Sequence, residues 1–120
     1  MILTVEEFKT KFVPNSDSLF KNITDGEIES LLEVAENFVK IDFEVDSLQA
    51  NLTFKTLVAY EALRNWYSTR VIKEEIQTYY TNKYKEVKDK LSSIPMKFVE
   101  FDKNILDKID EEVLNEQISN

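Results

Sequence analysis

The sequence predicts an all-α fold, a small bundle of four helices with a C-terminal extended segment and helical arm, and three observations lead there. A single Gly and two Pro among 120 residues leave little material for the tight turns of a hairpin-rich β fold. Two stretches, "LTVEEF" from Leu3 and "ITDGEI" from Ile23, write the same helix start twice. In that pattern Thr accepts from a first-turn N–H, Glu three residues on reaches back to the Thr N–H, and apolar neighbours clamp together. Beyond these starts, apolar residues recur at spacings of three and four along most of the chain.

The first helix is expected over 4–12, with Val5, Phe8 and Phe12 on one face and Lys9 and Lys11 in the last turn, where they suit the helix dipole. Pro14 ends it and "VPNSDS" supplies turn formers. The second helix starts at Thr24, runs to about 40–43, and sets Ile28, Leu31, Leu32, Ala35, Phe38 and Val39 on one stripe, with Glu27, Glu29, Glu33 and Glu36 in water. Asp46 offers the next cap, with Gln49 three residues on. The third helix, over 47–68, is apolar nearly all round, from Leu52 and Phe54 to Trp66 and Tyr67, which is the pattern of a central, buried helix. Lys55, Glu61 and Arg64 form its polar edge. A fourth helix over 73–92 places Ile76, Tyr79, Tyr80, Lys83 or Tyr84, Val87 and Leu91 on a heptad-like face, and Pro95 stops it.

The composition shifts after Pro95, dividing the chain into a helical bundle, 1–95, and an arm, 96–120. "MKFVEF" reads as an extended segment, and the following "DKNILDKIDEEVLNEQIS" as a weak amphipathic helix. Such an arm is too thin to bury its own apolar side, so it packs back on the bundle or docks on a partner. Met96, Phe98, Val99, Phe101, Ile105, Ile109 and Val113 are the expected protein-interface residues. Removing 96–120 is expected to leave the bundle folded and to weaken assembly.

The composition also narrows function. The chain has no Cys and no His, which removes thiolate metal sites, the commonest general base and the commonest transition-metal ligand. The acid pairs Glu6/Glu7, Glu74/Glu75 and Glu111/Glu112 are adjacent, so on a helix they point about 100° apart and cannot share a substrate. The chain is therefore expected to be no enzyme and to use no cofactor or metal. No apolar run of about 18 residues exists, and "MILTVEEF" turns acidic at once, so no membrane partner is expected and the chain reads as soluble and cytosolic where it is made.

The net charge is −8 with pI near 4.6, which disfavours binding to nucleic acid through phosphates. The charge is uneven: residues 1–47 carry −7, residues 48–95 carry +3 and residues 96–120 carry −4. The strongest stretch for nucleic acid is "YYTNKYKEVKDK", in which Lys83, Lys85, Lys88 and Lys90 could meet phosphates and Tyr79, Tyr80 and Tyr84 stack on bases. Interleaved Glu86 and Asp89 favour an ordinary solvated face, with the tyrosines in the core.

The order of elements, "LTVEEFKTKF", a linker, "ITDGEIESLLEVAENFV", the apolar "LTFKTLVAYEALRNWY" and a fourth helix, resembles the head-tail connector proteins of tailed phages, also called adaptor or head-completion proteins, over about residues 2–93. The resemblance implies a virion structural protein at the head-tail interface, assembled in the host cytoplasm as a homo-oligomeric, typically twelve-fold, ring beneath the portal. Its implied partners are the portal protein and the next tail-completion protein, with double-stranded DNA passing through the channel without sequence-specific binding. The alternative is a small acidic phage or bacterial protein that regulates a single host protein by binding it.

Overall fold

Both repeated starts open helices: α1 (Val5–Lys11) follows Thr4, and α2 (Asp25–Asp42) follows Thr24. Thr4 Oγ1 accepts from Glu7 N at 3.1 Å and Thr24 Oγ1 from Glu27 N at 3.2 Å, while each glutamate returns to its threonine's N–H. The computed structural model describes residues 1–13, 23–69, 74–92 and 109–115. Among them the protein is all-helical, with α3 (Leu52–Ser68), α4 (Glu74–Ser92) and a short α5 (109–115) completing five helices, and no strand. The segment expected to be extended, "MKFVEF", lies outside the described residues.

α2 stops without the glycine that usually ends a helix. Glu44 takes the left-handed position (φ 57°), Val45 N–H donates to Lys40 O at 2.9 Å and Glu44 N–H to Ile41 O at 3.1 Å. This is the paired hydrogen-bond pattern of a glycine-type helix end, built on a residue whose Cβ is strained there. The chain's one glycine, Gly26, sits instead in the first turn of α2.

α3 is the centre, with eleven of its 17 residues buried. α2 closes on it through Ile28, Leu32, Ala35 and Val39, and α4 through Tyr80, Tyr84, Val87 and Leu91. Leu3 and Phe8 bring the N-terminal segment and α1 into the same core, so the Phe8/Phe12 pair is core as its spacing suggests. Tyr80 stacks on Tyr67 with ring centroids 5.7 Å apart, and Phe43 meets Phe54 edge-on at 5.5 Å.

α3 begins at Leu52, not at 47, and its cap is Asn51, not Asp46. Asn51 Oδ1 accepts from Phe54 N at 3.3 Å, but the stronger acceptor is Asp110 of α5. Asp110 Oδ1 accepts from Thr53 N at 2.9 Å, from Asn51 Nδ2 at 3.1 Å and from the Thr53 hydroxyl. A carboxylate distant in sequence therefore holds the first turn of the central helix, which no local pattern announces. The α5 residues Ile109 and Val113 are buried in the same core cluster. Both were expected at a protein interface and are corrected here to core: their spacing of four puts them on one face, and that face packs on the chain's own helices.

Replacing Asp110 with Ala should cost about 2 to 3 kcal/mol in urea unfolding, because it strips a charged acceptor from several partly buried donors. Removal of 96–120 should destabilise the remaining bundle for the same reason, which equilibrium unfolding of the truncated chain checks. Glu44→Gly should raise stability by about 1 kcal/mol by relieving the left-handed backbone, read as a higher urea midpoint at unchanged slope.

Candidate interaction surface

Of the expected interface residues, Met96, Phe98, Val99, Phe101 and Ile105 lie outside the described residues, and Ile109 and Val113 are core. The basic, tyrosine-rich face of α4 is also largely committed. Tyr84 is buried and donates from its hydroxyl to Asp42 Oδ2 at 2.8 Å, and Lys88 Nζ donates to Asp42 Oδ1 at 2.9 Å. Burial, then the hydrogen bond to Asp42, push the Tyr84 phenol far above its ordinary value, so it stays protonated as a donor. Tyr80 is covered by Tyr67 and Tyr60. Tyr79 alone of the three tyrosines is exposed, with Lys83 Nζ 5.5 Å from its ring centre. Two of the three rings thus have no face to offer a base.

The other polar groups on the helices serve packing. Glu61, expected on a polar edge, is buried and receives both arms of the Arg64 guanidinium, Nε at 2.9 Å, which raises the Arg64 pKa. Glu36, expected in water, is buried too; its Oε1 accepts from Ile2 N at 2.7 Å and its Oε2 lies 3.6 Å from Lys40. Among the described residues no group of three or more acids is placed to hold a metal ion. No described helix is long and apolar enough to cross a membrane.

What remains open is a second apolar arc on α2. Val34, Phe38 and Ile41 are 58%, 42% and 78% exposed, and half-buried Leu31 continues their line. Spacings of three, four and three put the four residues on one arc of about 80°, beside the arc of Ile28, Leu32, Ala35 and Val39 that faces the core. Phe38, assigned from sequence to the core stripe, touches Tyr84 edge-on at 5.8 Å but keeps its outer side in solvent. At the N-terminal end of the arc, Leu31, Val34 and Ser30 form a groove of about 330 Å³ with Asn65, Trp66 and Thr69 of the α3 end. The single amphipathic stripe read from the sequence is thus two adjoining stripes, only one of which is covered. The signal was present in the 3-4-3 spacing of Leu31, Val34, Phe38 and Ile41, but one helix cannot cover an apolar arc that wide.

Among the described residues the exposed charges at the two ends of this arc, Glu27, Glu44 and Asp46, are acidic. Lys40 and Lys88 are held by Glu36 and Asp42, and Lys55 pairs with Glu7 at 2.9 Å. Glu29, Glu33, Glu44 and Asp46 are exposed and have no ion-pair partner among the described residues. Comparison with protein-family models, with curated proteins and with solved structures returned no match.

The Glu7–Lys55 bridge fixes α1 to α3 and carries a pH dependence. The hydrogen bond from Lys55, aided by the Thr4 cap and opposed by partial burial, holds the Glu7 carboxyl below its ordinary value of 4.5. A carboxyl depressed in the folded state stabilises fully above its unfolded pKa, and the contribution disappears as pH falls through the folded pKa. Melting temperatures measured from pH 7 down to about pH 3 should therefore fall less steeply for Glu7→Gln than for the natural chain, the gap between the two closing below about pH 5.

Proposed function

We propose that this protein is a structural adaptor that works by binding other proteins, in the form of a head-tail connector of a tailed phage. The observation that carries the adaptor reading is the uncovered arc of Val34, Phe38 and Ile41, an apolar surface on a helix whose adjoining face already fills the core. A charge-depleted apolar strip on a strongly acidic protein is the composition of an interface centre. The connector form rests on the resemblance of element order over residues 2–93. In it the bundle makes the subunit contacts of a ring under the portal, the part of the 96–120 arm that α5 does not commit to the chain's own core reaches a neighbour or the portal, and the ring is a platform for the next tail component.

The acidic balance supports this reading. A ring of copies each carrying −8 has a wall that repels phosphates, so DNA slides through rather than sticks. The uneven charge between segments suits a head-to-tail contact that closes a ring.

Electron microscopy and light scattering of the protein mixed with its portal should show a ring bound to the portal. A persistent monomer that leaves the portal bare overturns the connector reading, and a stoichiometric soluble host partner in a pull-down would favour the single-target regulator instead.

A further inference from the structure

We infer that the exposed arc of α2 seats a basic amphipathic helix from a partner protein, and not another copy of this chain. The inference rests on the adaptor reading for taking α2 as a docking face, and makes no use of the phage assignment.

The shape argues for a helix. Leu31, Val34, Phe38 and Ile41 follow the 3-4-3 spacing of a helix-packing seam and span about 15 Å along α2. A second helix lying nearly parallel or antiparallel to α2 sets its own apolar ridge into such a seam. The groove beside Trp66 then receives a large side chain at one end. Among the described residues there is no strand, so no sheet edge is on offer for an extended peptide to join.

The charge decides which helix. Glu27 stands at the N-terminal end of the arc and the exposed Glu44 and Asp46 follow its C-terminal end. On the open side the arc is bordered by neutral Ser30 and Asn37, with Glu33 next round the helix. Of the described bases, Lys40 and Lys88 are held by Glu36 and Asp42. A partner with Lys or Arg flanking its apolar ridge meets acids at both ends, which speeds encounter and fixes orientation. A second copy presenting the same arc meets like charge in either direction. Antiparallel α2 helices bring Glu27 towards Glu44 and Asp46 of the other copy, and parallel ones bring each acid beside its own counterpart. With −8 on each chain, that repulsion opposes self-pairing through this arc.

The test uses the full chain and a synthetic amphipathic peptide of about four helical turns, Leu along one face and Lys elsewhere, beside the same peptide with Glu for Lys. Calorimetric titration should give saturable one-to-one binding of the Lys peptide, weakened by salt, and much weaker binding of the Glu peptide. The double variant Val34→Asp/Ile41→Asp should bind the Lys peptide at least about tenfold more weakly, although it carries two more acids. Attraction by charge alone would strengthen with those added acids, so the sign of the change separates the two. Both positions are solvent-exposed, so melting by circular dichroism should be unchanged; if it is not, Ile41→Asp alone, at the most exposed position, gives the same reading. The proposal is overturned by equal or tighter binding to the variant, by equal affinity for the Glu peptide, or by no saturable binding. It is also overturned if the free chain self-associates and the double substitution abolishes that association. Failure to bind a portal would leave these outcomes untouched.

Discussion

The whole structure depends on a helix that cannot stand alone. α3 is apolar around most of its circumference and carries Thr53, Thr56 and Glu61 inside the core, so it is stable only when neighbours cover it and every polar group on it has a partner. The partners are specific. Thr56 donates back to Leu52 O at 2.7 Å, Arg64 closes over Glu61, and Asp110 meets the first-turn donors. Each of these satisfactions removes a cost that would otherwise oppose burial. The last of them ties α5 to the centre of the protein.

A second economy runs through the charges. The chain has many more acids than bases, and three of its described bases join helices: Lys9 to Asp25 links α1 to α2, Lys55 to Glu7 links α3 to α1, and Lys88 to Asp42 links α4 to α2. Such partly exposed pairs are worth little each as stability. Their larger consequence is on the surface, where the excess acids are left facing solvent and the net field is negative. That field disfavours a phosphate backbone as ligand and disfavours close approach of a second, equally acidic helix face.

Together these two features frame the function. A core that uses one face of α2 leaves its adjoining apolar arc in solvent, and a surface with few uncommitted bases near that arc sets the chemistry that can cover it. Tyr80 and Tyr84, which in sequence looked able to stack on bases, are occupied in the core, and among the described residues no three acids are placed to hold a metal ion. These are the features on which the proposed adaptor reading rests.

The sequence by itself determined what local chemistry determines. The two Thr-x-x-Glu starts placed α1 and α2 because a capping box is closed within four residues, and the near-continuous apolar run marked α3 as central because no exposed helix tolerates it. Tertiary structure decided what depends on residues far apart in the chain. It moved the start of α3 to Leu52, because the acceptor that fixes that end is Asp110, separated from Thr53 by 57 positions. It buried Glu36 and Glu61, whose costs are met by Ile2 N–H and by Arg64, and drew Ile109 and Val113 from an expected interface into the core. It also divided the apolar side of α2 into a covered face and an open one: the spacing along α2 lays out both arcs, and where α3 and α4 lie decides which of them is covered.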